Sequence, residues 1–396
     1  MVSNVFDLEK EKIMSEKLYT IPRAVYHGAG CIEAIKNLDG KRASIVCDDS
    51  MVKLGFAEKI EKLLKAGGFE VQIISGVEPD PSLKTCLAGG AKMEEFNPDW
   101  IIALGGGSPM DAAKAMWVFY EYPGYDFKEL TKFNIPELRK KAKLACVPTT
   151  SGTGSEITLF AVVTDTDAGI KYPLGNPTFV PDVAFIDPTL CQSMPPLLTA
   201  QTGMDALSHA TEAYVSLNAD DYTSSMAIYA IDMIFDNLKK AYDDGNDIAA
   251  REKMHDASAI AGMAFSNASV GIVHSMAHKL GGAFHLAHGE AITILHPYII
   301  DYNRKSTDRY ENIEKHLGVD DYAQAVRDLN KQLNFSANIK DGKNVIVKEK
   351  DFLEKLDEMS KLAFEDACTL TNPRKTSPED IKKIYTCAFN GDKVDF

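Results

Sequence analysis

The chain of 396 residues contains no apolar run approaching the ~18 residues that a membrane-spanning helix requires. Its longest candidate, WIIALGGGSPMDAAKAMWVF, is broken by glycines and an aspartate, so no membrane partner is expected. Surplus positive charge is missing too. With 43 Lys and Arg against 57 Asp and Glu, the formal net charge is −14, which argues against nucleic acid as a partner, because phosphate backbones are held by surplus cations. The seven cysteines (Cys31, Cys47, Cys86, Cys146, Cys191, Cys368 and Cys387) include no CxxC pair. Neither a disulfide framework nor a zinc knuckle is expected, and a reducing cytoplasm is the expected setting. The opening MVSNVFDLEKEKIMSEK lacks the apolar centre of a secretory signal. Val5, Leu8, Ile13 and Leu18 among its charges predict a short amphipathic helix that docks on the body, a second subunit or an assembly; a frayed tail is the competing expectation. There is no internal repeat.

What is present is a change of character half-way along. ASIVCDD reads as a strand, FAEKIEKLLKAGG as a helix with a glycine stop, FEVQIISGV as a strand and PSLKTCLAGGAKMEEFN as a helix. WIIALGGGSPMDAAKAMWVFY follows as strand, glycine turn and helix, and ACVPTTSGTGSE as a buried strand ending in a small-residue loop. This alternation predicts an open parallel sheet with helices on both faces. Beyond MPPLL (194 to 198) strand-like runs cease and long helical stretches take over. Two domains follow: an α/β domain over 1–194 and an all-helical domain over 195–396.

GGGSPMD, from Gly105 to Asp111, sits where a strand stops and a helix starts. Glycines there let backbone approach a ligand, Ser108 can cap the helix, and the helix N-terminus offers free N–H groups to a pyrophosphate. Asp48, at the end of the strand ASIVCD, can accept hydrogen bonds from an adenosine ribose and would repel a 2′-phosphate, favouring NAD over NADP. The plainer reading is that this acidic turn only caps a helix, through Asp49 or Ser50.

Four of the nine histidines (His274, His278, His285 and His288) fall within HSMAHKLGGAFHLAHG. His274 and His278 share a helical face, on a helix that Gly281 and Gly282 are expected to end. In GMDALSHATEAY, Asp205 and His209 are likewise four residues apart among small and apolar neighbours, where an unpaired aspartate would be costly to bury. A divalent cation held by Asp205, His209 and two histidines of the cluster resolves that cost; one carboxylate with several imidazoles suits zinc or ferrous iron.

Together GGGSPMDAAK, PTTSGTGSE, GMDALSHATEAY and HSMAHKLGGAFHLAHG resemble the iron-containing, or group III, alcohol dehydrogenases, from about Tyr19 to NPRKTSPEDIKKIY. The likeness is closest to the alcohol dehydrogenase half of bifunctional aldehyde-alcohol dehydrogenases. It implies a dehydroquinate synthase-like fold with a dinucleotide-binding N-terminal domain, a helical metal-binding C-terminal domain and the active site between them. The implied metal ligands are Asp205, His209, His274 and His288, with His278 beside nicotinamide and substrate, and His285 peripheral. Gly106, Gly107 and Ser108 would hold pyrophosphate. Thr149, Thr150 and Thr153 would line the NAD(H) site, with Lys171 and Leu190 nearby. Phe160, Phe265 and Cys368 would form the substrate pocket.

The resemblance thus implies hydride transfer between NAD(H) and a short primary alcohol or aldehyde at Fe2+, with Zn2+ the other candidate ion, in a homo-oligomer. A diol or hydroxy-acid dehydrogenase of the same family (1,3-propanediol, lactaldehyde or 4-hydroxybutyrate type) is the alternative. Dehydroquinate synthase shares the architecture, but a lyase for a phosphorylated substrate needs cations near its metal. Between Gln201 and Pro297 only Lys239, Lys240, Arg251, Lys253 and Lys279 occur, none of them beside Asp205 or His209 in sequence. A non-catalytic scaffold would have no use for an intact nucleotide loop.

Overall fold

The computed structural model describes residues 18–342 and 345–396. Val5, Leu8 and Ile13 of the expected N-terminal helix lie outside the described residues; Leu18 lies inside them and is exposed.

A six-stranded parallel sheet organises the first half, in the order β1 (Ala24–His27), β8 (Val183–Ile186), β5 (Lys143–Pro148), β4 (Trp100–Gly105), β2 (Arg42–Cys47), β3 (Glu70–Ile74). The central strands are buried almost end to end because both faces are covered. Alternate residues of β4 divide between two apolar clusters. Ile101 and Ala103 join Met116 and Trp117 on one side, while Ile102 and Leu104 join Ile60 and Leu64 on the other. Between β2 and β4 the strand order reverses, the place where open α/β sheets bind ligands.

Two strands went unforeseen at the sheet's edge side, β1 and β8, and a third surprise is the antiparallel hairpin of β6 (Phe160–Asp165) and β7 (Ile170–Gly175). The hairpin carries Phe160 and Lys171 at opposite ends of its ladder.

The second half is helical. Its main elements are Pro196–Val215, Asp221–Asp243, Ile248–Ala268, Ile272–Phe284 and His288–Asn303, with Arg309–Leu317, Tyr322–Gln332, Glu349–Phe364 and Pro378–Asn390 packed around them. The Asp220 side chain and Thr223 close a reciprocal capping box at one start. Met194 and Pro195 lie between the 3-10 turn Pro188–Cys191 and the first long helix. The halves approach backbone to backbone at Gly154 and Gly262, where a Cβ on Gly154 would stand 2.9 Å from Gly262 Cα.

Three local expectations need correction. The Ile272–Phe284 helix runs through Gly281 and Gly282 and stops only at His285, whose φ of 57° is left-handed. Burial of Ile272, Met276 and Leu280 in the core outweighs the weak helix propensity of two glycines, about 1 kcal/mol each. Ser108 does not cap its helix: Gly106 is the N-cap, and Ser108 Oγ instead accepts from Asp80 N at 3.2 Å. The acidic turn after β2 is capped by Asp48 itself, accepting from Ser50 N at 2.6 Å and Met51 N at 3.2 Å, not by Asp49 or Ser50.

Candidate metal centre and coenzyme cleft

Asp205 and His209 stand on one face of the Pro196–Val215 helix; His274 comes from the next-but-two helix, and His288 from the first position of the one after. The helices bring their side chains to one point. Asp205 Oδ1 lies 3.8 Å from His209 Nε2, 3.6 Å from His274 Nε2 and 3.4 Å from His288 Nε2. These spacings are too long for hydrogen bonds. They match the separation of about 3.4 Å between ligand atoms each about 2.1 Å from a tetrahedral ion. Asp205, His209 and His274 are buried, and Asp205 Oδ1 and His274 Nε2 have no hydrogen-bond partner. A carboxylate oxygen and an imidazole nitrogen left this way cost several kcal/mol unless a cation joins them. The donor set therefore fits a divalent ion.

Charge within the cluster is strongly coupled. Burial opposes ionisation of Asp205, but the surrounding His209, His288 and His274 outweigh it and hold the carboxyl well below its usual range. Burial drives His209 down to about 3. His274 moves the other way: burial disfavours its cation, yet Glu212 and Asp205 prevail and push it up to about 10.

Two carboxylates that the sequence reading passed over complete the surroundings. Glu212, buried, is hydrogen-bonded to His274 Nδ1 and accepts from Val273 N at 2.8 Å. Its spacing from Asp205 and His209 (seven and three residues) puts it on their helical face, so that signal was available. Asp366 lies 3.3 Å from His278 Nδ1 and 2.9 Å from Lys279 Nζ. Lys279, five residues from His274 and next to His278, is thus close to the site, but its charge is matched by Asp366. His278 is itself off the metal cluster, its ring centroid 5.6 Å from that of His288 and its side chain open to solvent. His285 stays outside the cluster as a helix terminus.

Phe265 stacks on His209 at 4.1 Å between ring centroids, and Phe160 stacks on Phe265 at 6.5 Å. Cys368 packs against the same apolar cluster. Phe265 therefore borders the metal cluster, with Phe160 and Cys368 packed against the same apolar group, and burial pushes the Cys368 thiol well up, so it stays protonated and apolar in behaviour.

Across the cleft, Gly106 and Gly107 face the PTTSGTGSE loop. A Cβ on Gly106 would meet Thr150 Cγ2 at 3.3 Å, and one on Gly107 would meet Thr153 Cγ2 at 3.1 Å. Thr149 N donates to Gly105 O at 2.9 Å, which locks the loop to the end of β4. Beside it, Asp48 Oδ2 comes 3.3 Å from where a Cβ of Gly105 would stand, so this carboxylate sits at the reversal of strand order with Oδ1 engaged in the cap. Lys171 Nζ pairs with Asp80 Oδ2 at 2.6 Å, and Asp80 touches Ser108, which places Lys171 over the same loop. Leu190 has its side chain packed into the apolar cluster on one sheet face.

The family description "Iron-containing alcohol dehydrogenase" matches residues 22–188, and "Fe-containing alcohol dehydrogenase family, C-terminal" matches residues 199–389. The chain belongs to the iron-containing alcohol dehydrogenase family. It is 47% identical over 390 residues to the NADPH-dependent butanol dehydrogenase of Clostridium saccharobutylicum, covering 96% of this chain and 99% of that one. It is 42% identical over 409 residues to the aldehyde-alcohol dehydrogenase of Streptococcus pneumoniae, covering 94% of this chain but 46% of that longer protein. A solved 1,3-propanediol oxidoreductase superposes with a TM-score of 0.88 at 32% identity, over 94% of this chain and all of that one. The protein is thus an oxidoreductase of the alcohol dehydrogenase type. Among the described residues no helix is long and apolar enough to cross a membrane.

Proposed function

We propose that this alcohol dehydrogenase interconverts short unbranched primary alcohols and aldehydes, using NAD(H) and one ferrous ion held by Asp205, His209, His274 and His288. The observation that carries the reading is the buried Asp205 Oδ1, unpartnered and ringed by three imidazole nitrogens at 3.4–3.8 Å. Zinc is the other ion this donor set accepts. When bound, the cation supplies Lewis acidity toward the substrate oxygen.

The chain supplies everything else. Gly106, Gly107 and Ser108 at the start of the Gly107–Glu121 helix hold the pyrophosphate, Thr149, Thr150 and Thr153 form the facing wall, and Lys171 adds a cation at the rim. Asp48 accepts from the adenosine ribose and favours NAD, although the butanol dehydrogenase relative is named for NADPH. His278 stands off the metal cluster, open to the cleft and aligned by Asp366; it takes or gives the alcohol proton through Nε2. Phe160, Phe265 and Cys368 exclude water and set chain length.

None of those three offers a strong partner to a second hydroxyl. Burying a diol's extra hydroxyl unpaired costs about 1–3 kcal/mol, so roughly tenfold or more in selectivity. Each methylene that fits adds at most ~0.8 kcal/mol until the pocket is full. The favoured substrates are therefore linear ones of about two to five carbons. Likeness to a 1,3-propanediol oxidoreductase supports the rival reading, a diol dehydrogenase. The test is kcat/KM for ethanol, butanol, 1,3-propanediol, 1,2-propanediol and 4-hydroxybutyrate under one anaerobic condition with Fe2+ or Zn2+. A best substrate among the last three overturns the pocket argument and leaves the metal and coenzyme assignments in place. Seven unpaired cysteines support a cytoplasmic setting, and the exposed Leu217, Tyr222 and Leu370 support self-association into a homo-oligomer.

A further inference from the structure

From the contacts of Glu212 we infer that this carboxylate is the positioning residue that fixes His274 in its metal-binding tautomer, and that no neutral side chain of the same shape can replace it. The inference rests on the metal-centre reading above and adds a residue outside the four ligands.

Glu212 is nine-tenths buried or more, and each of its oxygens meets a different donor. Oε2 is hydrogen-bonded to His274 Nδ1, and Oε1 accepts from the backbone N–H of Val273 at 2.8 Å. The second contact also caps the Ile272–Phe284 helix, whose N-cap, Gly271, has no side chain to do so. Gly271 leaves the space the carboxylate needs, since a Cβ there would lie 2.9 Å from Glu212 Oε1 and 3.0 Å from Asn372 Oδ1. On the far side of the ring His274 Nε2 points at Asp205 Oδ1, 3.6 Å away, with no hydrogen-bond partner.

The chemistry follows from counting donors. For Nε2 to present a lone pair to an ion, the ring proton must sit on Nδ1, which then donates. The Val273 N–H is also a donor. Two donors converge on Glu212 from different directions, so both of its terminal atoms must be acceptors. An ionised carboxylate meets that condition. A glutamine does not, whichever way its amide is turned. With its oxygen toward Val273, the NH2 faces Nδ1 and demands the tautomer protonated at Nε2, which cannot ligate. With its oxygen toward His274, the NH2 confronts the Val273 N–H and the helix start loses its acceptor. An outer partner of this kind typically changes metal affinity 10–100-fold.

The test uses full-length protein, stripped of metal and titrated anaerobically with Zn2+ and with Fe2+ against a competing chelator. Glu212→Gln is expected to bind either ion 10–100-fold more weakly than wild type, while the metal-free variant keeps the helical circular dichroism of wild type. In zinc-loaded wild type, 15N-labelled histidine NMR is expected to show His274 with its proton on Nδ1 and Nε2 bare. Unchanged affinity in Glu212→Gln overturns the inference. So does a His274 protonated at Nε2 in the loaded wild type, a measurement that stands even if the variant fails to fold. Wild type that binds neither ion overturns the metal-centre reading itself, which is a different failure.

Discussion

Asp366 holds two neighbours on one helix at once, His278 Nδ1 at 3.3 Å and Lys279 Nζ at 2.9 Å. Burial would raise its pKa, but His278 and Lys279 together hold the carboxyl well below its usual range, so it is anionic throughout the working pH range. As an acceptor it favours the His278 tautomer protonated on Nδ1, which leaves Nε2 free for the proton exchange proposed above. Asp366→Asn is expected to lower kcat about tenfold or more with little change in KM for the coenzyme. Steady-state kinetics with both substrates varied checks this; an unchanged kcat removes His278 alignment from the mechanism.

His288 is the most exposed of the four ligands and contributes least to the core. His288→Ala is expected to fold normally, to retain well under a tenth of the bound metal and to lose nearly all turnover. His274→Ala should do the same, and air should inactivate the ferrous form by oxidation and loss of metal. Metal analysis beside circular dichroism and an anaerobic assay decides it. Full activity in metal-free protein would sink the assignment.

Asp48 both caps a helix and faces the end of β4. Asp48→Gly is expected to raise kcat/KM for NADPH relative to NADH by tenfold or more, since two like charges about 4 Å apart near a protein surface repel by a few kcal/mol before salt screening. Its cost in stability should be only a few tenths of a kcal/mol, because glycine is itself an acceptable cap. A wild type that already prefers NADPH refutes the reading of this carboxylate.

Glu156 is fully buried, and burial pushes its pKa up to about 7, with nearby Lys114 pulling only weakly the other way. Below about pH 4.5 the folded and unfolded states both carry the proton. Between 4.5 and 7 only the folded state does, so stability falls as pH rises, and above 7 the whole penalty applies, up to about 3 kcal/mol. Glu156→Gln removes that dependence. Its Tm should gain on wild type from pH 5 to about pH 7 and level off above it; a difference that stays flat across the whole range would show that Glu156 is ionised in the fold at all of these pH values.

Much of the architecture was legible because it is written in local periodicity. The buried strands β2, β4 and β5 are apolar runs ending in small or acidic residues, and Asp205–His209 and His274–His278 are intervals that one helix turn brings together. What escaped had no local signature. β1 and β8 are four residues each, too short for a period to show, and β7 contains Pro173 and follows the polar run TDTDAG, which reads as loop. Asp366 meets His278 across 88 positions of chain, and nothing in the intervening sequence marks the pairing. Glu212 is the opposite case: the motif displayed it on the ligand face, but only its tertiary contacts with Val273 and His274 give it a task.

Lys114 lies wholly buried within the helix that opens at the glycine loop, and its ammonium donates to the carbonyl oxygens of Ser155 at 2.9 Å, Thr158 at 2.8 Å and Phe160 at 2.7 Å. All three of its protons are thereby committed to one stretch of backbone. The Gly107–Glu121 helix, the PTTSGTGSE loop and Phe160 are consequently riveted into a single block. Separating any of them would strand a bare cation in an apolar interior. Any movement of the Gly107–Glu121 helix therefore carries the 155–160 segment with it as one body.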